Sequence, residues 1–220
     1  MKKYLPILNQ SKLFKQLSDE DILHALNCLD VKIKAFPRNS NILMPNTVQE
    51  DLCLLLEGEV LLIRDDFWGN QHLIGEIKKQ EIFAESYALN QQVALPLRAL
   101  AANKSLVMFI NIKKLQTTCG HHCAYHQQLI TNLMTILAKK NLMMNEKIRC
   151  LSQRSIKEKI LTYLENEAKH QNRSAFDIPF NRQQLADFLA IDRSALSREL
   201  SNLKKQGLID YHTNHFIIKD

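Results

Sequence analysis

Residues 179–218 read PFNRQQLADFLAIDRSALSRELSNLKKQGLIDYHTNHFII, and the fold turns on how this stretch is parsed. Asn181 followed by Gln184 has the spacing of a capping box, in which each side chain satisfies the other residue's backbone N–H. A short helix is therefore predicted from there through Leu189. Asp192 can cap a second helix running to Gln206, with Gly207 as its stop. Ala186, Ala190, Ile191 and Leu196 are the small and apolar residues expected where two short helices meet at a steep angle. Leu208 to Tyr211 and His215 to Ile218, joined at Thr213-Asn214, then read as a hairpin, which completes a winged helix-turn-helix. Arg193, Ser194, Ser197 and Arg198 fall in the first two turns of the second helix and cover one N-terminal face. Side chains so placed reach base edges when a helix enters the major groove of double-stranded DNA. The plainer reading is a small helical domain with an ordinary charged surface. Capping, spacing and wing together favour the DNA reader. Lys204 and Lys205, at the far end of the helix, point away from the groove floor and at most meet phosphate.

Upstream, no Gly or Pro occurs between Gly120 and Pro179, so nothing from His121 to Ser152 must break a helix. Ile130, Met134, Leu137, Asn141, Met144, Ile148 and Leu151 step alternately by four and three, which is a heptad seam. Leu129, Leu133, Ile136, Met143 and Cys150 make a second row, broken by Lys140 and Lys147. One row could face a twin helix while the other packs on the chain's own domain. A helix of this length spans roughly 45 Å, more than a small core needs. A lone polar residue in a seam, here Asn141, fixes register and strand number. A homodimer held by this helix is expected; a long core helix of a monomer is the alternative. A second helix is predicted from Ser155 to about His170, with Ile156, Ile160, Leu161 and Leu164 on one face.

Towards the N-terminus the period changes. Residues 1–27 look helical, with Ser18 as an N-cap candidate. From Val31, short runs such as VKIKAF, DLCLLLEGEVLLIRD, HLIGEI and LVMFINI alternate with turn signals at Pro37, Pro45-Asn46, Glu57-Gly58, Asp66 to Asn70 and Gly75. Short strands with frequent turns indicate an antiparallel sandwich or barrel. Phe83 to Asn90 interrupts with a helical turn, and strands resume near Arg98. The fold class is α+β, in three segments: a β-roll over 1–118, a dimerisation helix over 119–152 and a winged helix-turn-helix over 153–220.

Composition sets wide bounds. Hydrophobic content of 45% and charged content of 24% fit a globular protein. No apolar run approaches the ~18 residues of a membrane span, and MKKYLPILNQ lacks a signal-peptide core. A cytoplasmic location without a membrane partner is expected. The odd number of cysteines, five, suits a reducing compartment. Net charge is +6, but residues 150–220 carry eleven basic and nine acidic groups, so the motif and not the charge points to DNA. There is no phosphate-cradling glycine loop, and the eight histidines fall in no catalytic order, so no enzyme is expected.

From about Ile130 onward the chain resembles the catabolite-activator/fumarate-nitrate regulator (CRP/FNR) family, above all in SQRSIKEKILTYL and RQQLADFLAIDRSALSREL. The resemblance extends to the N-terminal half by pattern. It implies a homodimer with a cyclic-nucleotide-type β-roll, a palindromic operator with half-sites about one DNA turn apart, and RNA polymerase as a partner. It also implies a positional mechanism, in which movement about the dimer helix alters the separation of the two reading helices. Ser197-Arg198 match the family's Ser-Arg pair. Ser194 stands where many members carry a base-reading Glu, and Ala190 where a turn Gly is usual. In the family's effector cassette, F-G-E followed by R-[SA], the chain keeps Phe83-Ala84-Glu85 but loses the glycine. Val93 to Leu97 occupy the place of the phosphate-binding Arg, and Arg98 comes about three residues late. A cyclic phosphate needs an Arg fork and free backbone N–H groups, and Pro96 supplies none. Glu85 and Arg98 remain the effector candidates, cyclic AMP is not expected, and no cofactor is named.

Cys119, His122, Cys123 and His126 would share a face if helical, at the spacing of a zinc set. The outer two lie ~10 Å apart along a straight helix, too far to close around one ion with bonds of ~2.0–2.3 Å. A partial metal site, a redox thiol pair, or buried thiols with solvated imidazoles are the readings. A metal- or thiol-dependent redox module is thus the rival to the DNA reader. A small-molecule-binding β-roll with a vestigial DNA domain is the third.

Overall fold

The computed structural model describes residues 1–117 and 124–219, which form two compact units divided between Leu137 and Ala138. In the first unit the opening residues are a series of short turns, not one helix. Single 3-10 turns at Lys2–Tyr4 and Lys12–Phe14 alternate with α1 (Leu5–Leu8) and α2 (Asp19–Cys28). Ser18 caps α2 as expected, in a reciprocal box with Asp21. Leu8, Leu13, Phe14, Ile22 and Leu26 are buried, so every one of these elements but the first turn contributes a buried anchor to the core.

Eight strands follow: β1 (Lys32–Phe36), β2 (Asn41–Leu43), β3 (Asp51–Glu57), β4 (Val60–Asp65), β5 (Gln71–Ile77), β6 (Ile82–Phe83), β7 (Arg98–Ala101) and β8 (Ser105–Asn111). They make two antiparallel four-stranded sheets, in the orders β1-β8-β3-β6 and β2-β7-β4-β5. Leu52 to Leu56 are wholly buried on both faces of β3, which is why LCLLL reads as a continuous apolar run. Leu52, Leu54 and Leu56 join the helical turns in one core, while Cys53 and Leu55 join Val60, Phe83 and Val107 in the other. The turn at Gly58 has φ of +91°, and a Cβ there would lie 2.7 Å from the Lys104 carbonyl oxygen, so only glycine fits. Gly75, a turn signal in the sequence, instead lies inside β5. There Leu62 pairs with Gly75 and Ile63 with Leu73, a bulge that leaves Ile74 unmatched.

The interruption after β6 is α3 (Glu85–Leu89), and α4 (Ile112–Gln116) follows β8. The long helix α5 runs Ala124–Leu151. Its two apolar rows separate as the periodicity predicts: Leu129 and Leu133 are buried, while Met134, Met144 and Ile148 are exposed. Met143, from the second row, is exposed as well. Ile130 and Leu137 are half-buried, and Leu137 packs against its own unit's core. Asn132 is buried and donates to the carbonyls of Leu13 and Lys15 at 2.9 and 2.8 Å, tying α5 to the N-terminal turns.

The second unit contains α6 (Ile156–Gln171), α7 (Arg182–Leu189) and α8 (Arg193–Lys205). A three-stranded antiparallel sheet completes it, ordered β10-β11-β9, from β9 (Ala175–Asp177), β10 (Ile209–His212) and β11 (His215–Ile218). Ser155 and Glu158 box the start of α6. β9 was not expected. The end of α5 is fastened to α6 and α7 by polar contacts. Glu146 meets His170 at 2.9 Å, the Arg149 guanidinium donates to the Asn166 side-chain carbonyl, and Lys147 lies 5.2 Å from the Phe188 ring centroid.

Candidate nucleic-acid interface

α7 forms where the sequence places it. Asn181 accepts from the Gln184 backbone N–H at 2.9 Å, and the Gln184 side chain accepts from that of Asn181 at 2.9 Å. The helix ends at Ala190, whose φ of +50° and ψ of +57° are left-handed. Its N–H still bonds to Asp187, and that of Ile191 to Ala186. The turn expected to lack glycine thus makes the same left-handed bend with an alanine. Asp192 occupies the N-cap of α8 but its side chain makes no capping bond, a correction to the role expected for it.

On α8, Leu196, Leu200 and Leu203 are fully buried with Leu185, Ala186 and Leu189 of α7. Each such leucine contributes about 1.5–3 kcal/mol by leaving water. That burial fixes the rotation of the helix about its axis. Arg193, Ser194, Ser197 and Arg198 are all exposed, on the side left over. A helix with a leucine face at positions 196, 200 and 203 and a mixed cationic and hydroxyl face near its N-terminus can lay the latter against base edges and phosphates.

The lysines at the other end differ from each other. Lys205 is exposed. Lys204, expected at most to meet phosphate, is exposed too but is engaged with its own chain. Its ammonium lies 2.5 Å from Asp210 on β10 and 5.4 Å from the centroid of Tyr211. The Asp210 carboxyl is held below the usual carboxylate range, chiefly by the hydrogen bond from Lys204. Arg182, the first residue of α7, lies 5.0 Å from the ring centroids of both Tyr211 and Phe216. These two rings stack at 5.7 Å, and burial pulls the Arg182 pKa down. Sequence reasoning missed Arg182 because one arginine at a helix start looks like any surface cation.

The remaining expected site residues are dispersed. Glu85 is buried at the start of α3. Arg98, at the start of β7, lies 3.4 Å from Asp65 on β4. Ala84 replaces the cassette glycine with φ of +61°. His126 is buried in α5 beside Tyr125, with ring centroids 5.1 Å apart. Cys119, His122 and Cys123 lie outside the described residues. No described helix is long and apolar enough to cross a membrane.

A two-sheet β-roll, a long helix and a winged helix-turn-helix define the class of protein. Residues 158–220 match the Crp-like helix-turn-helix domain. A probable transcriptional activator of Rhizobium leguminosarum bv. viciae is 33% identical over 76 residues, which are 32% of this chain and 32% of that protein. The matched region thus spans about a third of that relative's length. Among solved structures, the c-di-GMP-responsive global regulator CLP of Xanthomonas campestris has a TM-score of 0.58 at 15% identity, covering 92% of this chain and 100% of that one. A cyclic nucleotide-binding domain from Methylobacillus flagellatus also has a TM-score of 0.58, at 19% identity, covering 70% of this chain and 88% of that one. Residues 158–220 are thus a Crp-like helix-turn-helix domain, and the chain shares its fold with CLP over most of its length.

Proposed function

We propose that this chain is a homodimeric, sequence-specific transcription regulator that reads a palindromic site in double-stranded DNA through α8. The observation that carries this reading is the exposed set Arg193, Ser194, Ser197 and Arg198 opposite the buried leucine face of α8. The dimer seam is Ile130, Met134, Leu137, Asn141, Met144 and Ile148, within a segment 119–152 that lies between a β-roll over 1–118 and the DNA-binding segment over 153–220. Exposure of Met134, Met144 and Ile148 supports it, because three large apolar side chains along one helix stripe are normally covered. RNA polymerase is the further partner, and the cytoplasm the place of action.

The regulator works without cyclic AMP. Arg98, the nearest arginine to the effector cassette in the sequence, has its Nε 3.4 Å from the Asp65 carboxylate on β4. Pro96 withholds a backbone donor, and Leu95 beside it is buried in the core of the roll. Titration calorimetry with cyclic AMP should give no saturable heat at micromolar concentration.

The test of DNA reading is selection of duplexes from fragmented genomic DNA by the purified protein without added ligand. Enrichment of an inverted repeat with half-sites about one helical turn apart is expected. Recovery of unselected fragments, with the same salt-dependent affinity for every sequence, would overturn it.

A further inference from the structure

We infer that Tyr211 is a positioning residue that sets the wing against the helix-turn-helix, clamped there by Arg182 of α7 and Lys204 of α8. The inference deepens the DNA-reading proposal and rests on it for its consequence, but not for its geometry.

β10 is an edge strand, paired only with β11, so backbone bonds alone leave the wing hinged along one side. Side chains supply the second attachment. Tyr211 pairs in register with Phe216, and Phe216 with Phe176 on β9, so three aromatic side chains cross the sheet in one row. Phe176 and Phe216 are buried, and Tyr211 at the end of the row is half-buried. Two cations from two different helices close on that end. The Arg182 guanidinium lies 5.0 Å from both the Tyr211 and Phe216 centroids, and the Lys204 ammonium 5.4 Å from Tyr211.

The contacts fit the cations. A guanidinium is planar and weakly hydrated, so it stacks on rings where an ammonium would be held back by its water. One nitrogen of Arg182, Nη1, is buried without a hydrogen-bond partner, so ring contact is what that part of the group has in place of water. Lys204 is fixed by its 2.5 Å contact with Asp210, and Lys219 approaches the same carboxylate at 3.7 Å. Neighbouring residues of β10, Asp210 and Tyr211, are thereby tied to both helices. The wing tip, Thr213-Asn214, follows one residue further on, after His212. If the wing reaches the DNA backbone beside α8, the clamp sets how far and at what angle.

The experiment compares Tyr211→Phe, Tyr211→Leu and the wild type as full-length chains. Hydrogen exchange of the free protein comes first. Tyr211→Leu should speed exchange in residues 209–218 at least tenfold and leave the α8 amides unchanged, while Tyr211→Phe should match the wild type. Unchanged exchange in the leucine variant overturns the clamp whether or not DNA binds. Loss of protection throughout α6, α7 and α8 also overturns it, because Tyr211 would then be an ordinary core residue. Hydroxyl-radical footprints on the duplex selected by the wild type come second. The leucine variant should lose protection at the outer edge of each half-site and keep it over the bases facing α8, with the phenylalanine variant restoring both. An even loss across the half-site overturns the positioning role. A wild type that selects no duplex fails the DNA reading and leaves the exchange result to decide the clamp.

Discussion

Ala84 and Ala190 hold the same left-handed backbone conformation at opposite ends of their helices. Ala84, with φ of +61°, precedes α3, and Ala190, with φ of +50°, follows α7. Both stand where the family pattern has glycine, so the chain keeps two bends and bears a Cβ at each.

Glycine should therefore stabilise at both positions. A left-handed alanine costs about 1–2 kcal/mol, and the extra freedom of an unfolded glycine returns about 0.4–1 kcal/mol of that. Ala84→Gly and Ala190→Gly should each raise stability by up to about 1.6 kcal/mol in urea unfolding. Ala186→Gly, within α7 and buried, should lower it by about 1 kcal/mol or more. A loss at Ala190 equal to that at Ala186 would contradict the strain argument.

The proposed dimer seam is best tested at its most exposed positions. Met144 and Ile148 are 65% and 60% exposed, whereas Leu137 packs on its own core and would confound the result. The double change Met144→Lys, Ile148→Lys should leave the melting temperature of the chain near that of the isolated protomer and give monomers in sedimentation. A folded double variant that still sediments as a dimer would place the interface elsewhere.

Arg198 and Lys205 should separate specificity from affinity. A guanidinium can bond bidentately to O6 and N7 of guanine, and loss of such a contact costs roughly 1–3 kcal/mol at one base position per half-site. Arg198→Ala should flatten the preference at that position alone. Lys205→Ala should weaken all sequences alike and reduce the salt slope by about one per lost phosphate contact. Binding curves on matched duplex variants at several salt concentrations decide it. An even loss in the arginine variant would mean that Arg198 meets only phosphate.

The β4–β5 tip carries its own pH reporter. Asp66 accepts from the side chain and backbone of Asn70, from the Trp68 backbone and from His72, and its carboxyl is pulled down to about 2, first by the Asn70 side chain. A depressed carboxylate favours the folded tip above its unfolded value, and that contribution fades as pH falls through the folded value near 2. Trp68 is the only tryptophan and is 82% exposed. NMR titration of Asp66 should give a midpoint near 2, moving up in Asn70→Ala, with Trp68 anisotropy falling over the same range. A midpoint close to 4 in the wild type would mean that the turn is not held by this carboxylate.

Features that depend on near neighbours in the chain were legible in the sequence. The box at Asn181–Gln184 joins residues three apart, the start of α6 is legible at Ser155 without its box to Glu158, and the leucine spacing on α8 fixes its buried face without reference to the rest of the protein. The exposed reading face follows from that spacing, since what is not buried must face out. Partners distant in sequence were settled only by the tertiary structure. β9 has one buried residue, Phe176, and exists as a strand because β11 pairs with it some 40 residues later. Asn132 reads as a polar interruption of α5, and its buried amide is acceptable only because carbonyls of Leu13 and Lys15 meet it. Arg182 and Lys204 carry the same charge as Arg198 and Lys205, and nothing in their local sequence separates the two pairs. Tyr211 and Asp210, brought beside them by the turn of the wing, give the first pair partners within the fold, although Lys204 stays exposed as Arg198 and Lys205 do.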